Sequence, residues 1–337
     1  MQNARVTTDD ATGSSPTPPT PPTPLPPTAT QVRIAHGDHE AWTVSVAAGL
    51  RTLRLAGRDV VDGFGEHDRP SGGRGQTLVP WPNRIAGGRY PLDGADQQLA
   101  ITEPSTGNAI HGLARWATWD VADRTASSVT WSHLLVPQPG WPTLLACRVT
   151  YALDDDGLSV TTSARNVGSA DCLYGTGSHP YLTLGTALVD DLSVTVPAAT
   201  WFETDDGGIP TGAYPVQGTP YDLRTPQRIG ERVLDTAYGD LDRDDDGRWR
   251  VRLAGPASAS RLVMWADGAY DYAQVFSGDT LHGAERRRGL AVEPMTCPPD
   301  AFNAPDPAAV GVVRLAPGDE HVATWGLALD QPITPLS

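Results

Sequence analysis

From residue 31 onward, apolar and polar residues alternate in short runs separated by turn residues, and this period-two texture limits the chain more than any other feature. Leu145, Cys147, Val149, Tyr151 and Leu153 share one face of a run that ends at the turn Asp154-Asp155-Asp156-Gly157, after which Leu158 to Thr162 alternates again. Two such runs around an Asp-Gly turn read as a β-hairpin. The same texture recurs at Trp42–Val46, Ser128–Trp131, Leu192–Val196, Trp249–Leu253, Arg261–Trp265 and His321–Trp325, and no long stretch of period 3.6 competes with it. The 35 glycines and 31 prolines supply the turns. The pattern predicts an all-β chain, a large antiparallel β-sandwich. Neither a break in composition nor an internal repeat divides residues 31–337, which reads as one domain.

Residues 1–30 are of another kind. The stretch SSPTPPTPPTPLPPTAT has almost nothing to bury and reads as a disordered or polyproline tail. The chain carries 25 basic and 40 acidic residues, a formal charge of −15. Such a balance argues against nucleic acid or anionic membrane as a partner, since phosphates select positive surface. All the basic residues are arginine, which excludes lysine Schiff-base chemistry and the P-loop lysine. Neither a transmembrane run nor a secretory leader is visible. Three cysteines without a C-x-x-C spacing, Cys147, Cys172 and Cys297, predict a reduced, cytoplasmic chain rather than a disulfide or zinc scaffold. Asp242 to Gly247 matches the opening of a calcium loop, but Leu253 stands where the bidentate glutamate belongs, so a hairpin turn is expected instead.

Four segments place chemically able side chains where packing does not ask for them. In Val79-Pro80-Trp81-Pro82-Asn83-Arg84, two prolines stiffen a loop that presents an amide beside a guanidinium, a good pair for hydroxyl groups. Asn108-Ala109-Ile110-His111-Gly112-Leu113 and Gly177-Ser178-His179-Pro180-Tyr181 each set a histidine among small residues or proline. In Leu290-Ala291-Val292-Glu293-Pro294, a carboxylate ends an apolar strand. Burial there costs several kcal/mol without partners and pushes its pKa up, which suits a general base.

Together, in this order and spacing, these segments resemble the aldose 1-epimerase (galactose mutarotase) family. The resemblance runs from PWPNRIAGGRY to the C-terminal LAPGDEHVATWGL. It implies a single large antiparallel β-sandwich, no metal and no cofactor, and the interconversion of α- and β-anomers of a free monosaccharide, a hexose above all. It implies His179 as general acid and Glu293 as general base. Asn83, Arg84, His111, Tyr181, Asp235 and Gln274 are implied to hold the sugar. The aspartate is the least conforming match, because Thr236 stands where the family often has histidine, and Asp222 in Tyr221-Asp222-Leu223-Arg224 is its rival. A histidine acid and a glutamate base at neutral pH call for an ionised glutamate and a histidine pushed slightly upward. A monomer or weak dimer is expected.

Three rivals stay open at the level of sequence. A carbohydrate-binding module would stack sugars on tryptophans such as Trp81 and Trp201. A hexose-6-phosphate 1-epimerase would add basic residues, with Arg115 and Arg224 as candidates. A glycosidase would need two carboxylates flanking one bond, whereas the convincing carboxylate here is partnered with histidine.

Overall fold

The structure, a computed structural model, describes residues 24–256 and 261–330. Residues 1–23 of the expected tail lie outside that range. Among the described residues the helical turns are all short 3₁₀ turns, and strands make up the rest of the regular structure. The packed chain starts slightly before the expected boundary. Thr28 is fully buried, and its carbonyl accepts a 3.4 Å bond from the Val46 amide.

Two large antiparallel sheets face each other. One has nine strands, beginning Asp120–Arg124, Ser128–Leu135, Leu145–Asp154, Gly157–Asn166, Glu320–Asp330, and continuing through Arg261–Ala266 and Trp249–Ala254 to two short edge strands. The expected hairpin is here, with Asp154 opposite Gly157 and Leu145 opposite Asn166. Inward-facing Cys147, Val149, Tyr151 and Leu153 are buried, as the alternation requires. The other sheet has eight strands: Pro210–Pro215, Ala198–Thr204, Asp235–Leu241, Tyr272–Phe276, Leu290–Met295, Gly177–Ser178 and Thr77–Leu78 in order, with Tyr181–Leu182 also paired to Leu290–Met295. The indole N–H of Trp325 spans the layers to donate to Ser178 Oγ at 2.9 Å. A four-stranded N-terminal sheet, Gln31 to Asp59, packs on the nine-stranded one, where Trp131 Nε1 donates to Thr43 Oγ1 at 3.0 Å. Cys147, Cys172 and Cys297 are buried free thiols, each pushed up to about 12 by burial.

The acidic turn at Asp242–Gly247 is a turn, as expected, but not a hairpin. The strands on either side of it, Asp235–Leu241 and Trp249–Ala254, belong to different sheets. Two of its carboxylates are taken by arginine: Arg250 Nη1 lies 2.7 Å from Asp244 and 2.9 Å from Asp246.

Candidate active site

Three neighbouring strands of the eight-stranded sheet lay out one wall of a pocket. Gln274 stands directly opposite Glu293 in the antiparallel ladder, and Ala237 stands opposite Gln274. Side chains of the same parity share a face, so Asp235, Gln274 and Glu293 point the same way. Gln274 Nε2 donates to Asp235 Oδ1 at 2.6 Å.

The facing wall comes from loops. A two-rung ladder pairs Arg84 with Ile110 and Ile85 with Ala109, and the His111 amide donates to the Asn83 carbonyl at 2.8 Å. Asn83 and His111 both adopt positive φ, 50° and 62°, a left-handed conformation that costs a side-chain-bearing residue of order 1 kcal/mol or more. Gly112 follows at φ 73°, where a Cβ would sit 2.0 Å from the Val79 carbonyl oxygen, so the close approach demands glycine. The segment after Glu293 locks this loop in place. The Asp300 amide donates to the Arg84 carbonyl at 2.7 Å, Asp300 Oδ1 accepts from the Ala86 amide, and Asn303 reaches the Arg89 carbonyl.

His179 sits between these walls on a bed made by the loop Ser71–Gln76. Its amide donates to the Gln76 carbonyl at 3.0 Å, and its carbonyl accepts from the Gly75 amide at 2.9 Å. Gly73 passes under the ring edge, where a Cβ would lie 2.6 Å from the imidazole. Tyr181 stacks on His179 at 5.0 Å between centroids, and the buried Arg74 guanidinium lies 4.4 Å over the other ring. Arg74 is anchored in turn by Asp62 at 2.9 Å. The sequence reading expected Tyr181 at the sugar. Its hydroxyl instead donates to the Gly72 carbonyl at 2.8 Å, and the side chain is fully buried, so it supports His179 from behind.

At the centre, His179 Nε2 lies 3.2 Å from Glu293 Oε1, with side-chain exposures of 5% and 3%. His111 meets His179 edge to face at 5.3 Å. The pocket they line, about 240 Å³, takes in Asn83, Arg84, His111, His179, Asp235, Gln274 and Glu293. Every expected site residue except Tyr181 is therefore brought to one cavity. Asp222 is not there: it lies at the surface in an ion pair with Arg224 at 2.7 Å. Two wider grooves, about 670 Å³ each, run elsewhere on the surface; Arg250 of one pairs with Asp246, and Arg288 of the other pairs with Asp62.

The lining also holds residues that the sequence reading did not pick. Glu103 grips Arg84 with two contacts of 2.7 and 2.9 Å and takes a third from Thr106. Arg84 is thus held flat against the wall rather than offering its whole fork. Arg115, weighed above only as a phosphate ligand, lines the cavity, with Nε on Gln76 Oε1 at 3.1 Å. Gly72, Thr280 and Leu281 complete the rim.

Burial dominates the proton equilibria. It pushes His179 down to about 3, helped by the Arg115 and Arg74 charges. It likewise holds His111 well below the usual histidine range. It raises Glu293 well above the usual carboxylate range, with Asp235 adding to the rise and Arg84 and Arg115 opposing it. Both shifts run opposite to those that an ionised glutamate and a charged histidine call for, because the pocket interior penalises each charge alone. Several polar atoms here are buried without a protein partner, among them Asn83 Oδ1, His111 Nδ1, Gln274 Oε1 and Glu293 Oε2. Unpaired buried polar groups cost about 1–3 kcal/mol each, and hydroxyl groups entering the pocket would satisfy them.

A two-layered antiparallel sandwich with a buried histidine–glutamate pair in a polar pocket is the arrangement of the galactose mutarotase fold. Comparisons with known proteins agree. The family model for aldose 1-epimerase matches residues 31–327. The chain is 35% identical over 291 residues to the uncharacterized protein YihR of Escherichia coli K12, covering 86% of this chain and 90% of that one. It is 29% identical over 313 residues to the galactose mutarotase of Homo sapiens, covering 85% and 88%. Among solved structures, an aldose epimerase homologue from C. elegans superposes with a TM-score of 0.78 at 20% identity, over 90% of this chain and 99% of that one. The chain belongs to the aldose 1-epimerase family.

Proposed function

We propose that the protein is a mutarotase, interconverting the α- and β-anomers of a free aldose. The observation that carries this reading is the 3.2 Å contact between His179 Nε2 and Glu293 Oε1 on the floor of the polar pocket. Mutarotation asks for one base at the anomeric hydroxyl and one acid at the ring oxygen. A buried pair sharing a single proton supplies both. Glu293 in its carboxylate form takes the proton of the C1 hydroxyl, and that O–H electron pair becomes the second bond of the carbonyl. The C1–ring oxygen bond breaks as His179 delivers its proton to that oxygen. Rotation about C1–C2 and the reverse steps close the other anomer, and the pair ends as it began. Burial favours the shared proton on Glu293 over His179 in the sugar-free site, so the proton has to cross the short contact to His179 before the ring opens.

A pair that must hold one proton is inactive with none and with two. The rate should fall below about pH 3, where His179 gains a second proton. It should fall again in the alkaline direction, above the raised Glu293 value. Asn83, His111, Asp235 and Gln274 serve the sugar hydroxyls, with Arg84 completing that wall. The charged lining, two guanidinium groups against three carboxylates, suits a neutral sugar better than a phosphorylated one. Trp81 is buried against Phe302 and Trp201 is stacked on Tyr221 at 4.0 Å, so neither offers the open platform of a binding module. The three reduced cysteines suit a cytoplasmic site of action. The test is polarimetry of freshly dissolved α-glucose and α-galactose. Acceleration well above the buffer rate by the purified protein is expected. Rates equal to buffer for these and other common aldoses would sink the reading.

A further inference from the structure

We propose that His111, His179 and Glu293 form a binding site for a divalent transition-metal ion of the zinc type. Two imidazoles and one carboxylate are the ligand set of open zinc sites, in which three protein groups leave a further position free. Here each residue offers one ligand atom, and these atoms all lie within 4.8 Å of one another. An ion with bonds of ~2.0–2.2 Å in tetrahedral geometry spaces its ligands roughly 3.3–3.6 Å apart. The His179–Glu293 edge, at 3.2 Å, is already close to that spacing. The edges to His111, no longer than 4.8 Å, close by a turn of that ring, whose Nδ1 is bound to no protein atom.

Three further observations favour a cation. All three residues are at most 8% exposed, so an ion would trade little competing solvent for its ligands. Glu293 Oε2 is buried and unpartnered, a second oxygen available for a bidentate bond. Apart from Glu293 itself, the two other carboxylates of the lining, Glu103 and Asp235, offset its two guanidinium groups, Arg84 and Arg115, so no net positive charge faces an incoming cation. Nitrogen donors select zinc or cobalt over magnesium or calcium. The free side of the cluster faces the pocket, so the open coordination position would be filled by water or by a hydroxyl. An ion held there occupies the floor where the mutarotase reading seats the anomeric carbon, so metal and sugar would exclude each other. Binding itself does not depend on that reading.

The test uses the full chain stripped with EDTA and titrated with Co²⁺, followed by its visible absorption, and with Zn²⁺ by calorimetry. One Co²⁺ per chain with the intense visible bands of low-coordinate cobalt is expected, displaced by Zn²⁺. The His111→Ala and Glu293→Gln proteins should each bind at least ~10–100-fold more weakly, since even a residue that only supports a ligand costs that much. Circular dichroism checks that both variants are folded, and the parent's spectrum stands without them. Absence of the bands in the parent, or metal binding unchanged in both variants, overturns the proposal. Mutarotase activity without metal binding would overturn it alone. Metal binding without activity would leave it standing and count against the mutarotase reading.

Discussion

The nine-stranded and eight-stranded sheets share one apolar core, to which the second contributes Val275, Leu290 and Val292, but they use their other faces differently. In the strand Leu145–Asp154, inward residues are apolar and outward ones meet solvent, in near-strict alternation. In Leu290–Met295 every residue is buried, and one of them is the carboxylate of Glu293. The long strands pair over eight to ten rungs, whereas the sheet that carries the pocket includes two-residue strands at Thr77–Leu78 and Gly177–Ser178. Short strands end early and release His179 and its loop toward the cavity. The difference separates two duties: the outer face of one sheet meets solvent, and that of the other keeps buried polar atoms such as Gln274 Oε1 and Glu293 Oε2 without a protein partner.

The largest effect should fall on the first sheet. Trp131 is fully buried at the join with the N-terminal sheet. Trp131→Ala should cost ~3–5 kcal/mol of stability, the usual size for removing a buried tryptophan. Denaturant unfolding measures that cost. Whatever folded protein remains should keep the KM of the parent. A raised KM at unchanged stability would erase the division of duties.

The converse holds for the pair. His179→Ala and Glu293→Gln should each lower turnover by at least ~100-fold, equivalent to about 2.7 kcal/mol of barrier, and the double variant should lose little more than either alone. Stability should move the other way for Glu293→Gln. A carboxyl whose folded pKa is raised stabilises the fold below its unfolded pKa, and that contribution is lost as pH rises through the folded value. Glutamine does not titrate. The variant should therefore melt no lower than the parent at pH 8, and relatively lower as the pH falls toward 4. His179, whose pKa is lowered, runs oppositely: its contribution is present above the free histidine range and declines toward about pH 3. Turnover within threefold of the parent in either single variant would remove that residue from proton transfer.

The first sheet was legible in the sequence because period-two alternation records which face is buried, and Asp154-Asp155-Asp156-Gly157 marks its turn. Most pocket residues were legible only through the order of their motifs. What escaped was contact at a distance. Nothing local announces that Glu103 will clamp Arg84, or that Tyr181 will lie buried under Arg74 instead of lining the pocket. Two-residue strands carry no period to detect. An acidic turn such as Asp242–Gly247 reads alike whether its flanking strands pair or part.

Asp235 tests the pocket wall at smaller scale. It bonds Gln274 at 2.6 Å, and the surrounding protein pushes its carboxyl up while Arg84 pulls it down. Asp235→Ala leaves the Gln274 amide without its acceptor. Loss of one such partner costs ~1–3 kcal/mol, which should appear as a raised KM or a changed order of preferred aldoses, with turnover at saturation moved far less. A loss confined to turnover would place Asp235 in the chemistry instead.

Asp222 should show the smallest effect and thereby decide which aspartate the pocket uses. It stands in a segment bound to the nine-stranded sheet, where the Val196 amide donates to the Leu223 carbonyl. Its own carboxylate is satisfied by Arg224 through two hydrogen bonds, 2.9 and 2.7 Å, which hold it below the usual carboxylate range. An ion pair open to solvent contributes little, because water screens it and two side chains lose freedom to form it. Asp222→Ala should therefore leave melting temperature, KM and turnover within error for every aldose tested. An increase in KM larger than that of Asp235→Ala would move the sugar toward residues 221–224, and the wall built by Asp235, Gln274 and Glu293 would no longer be the substrate's.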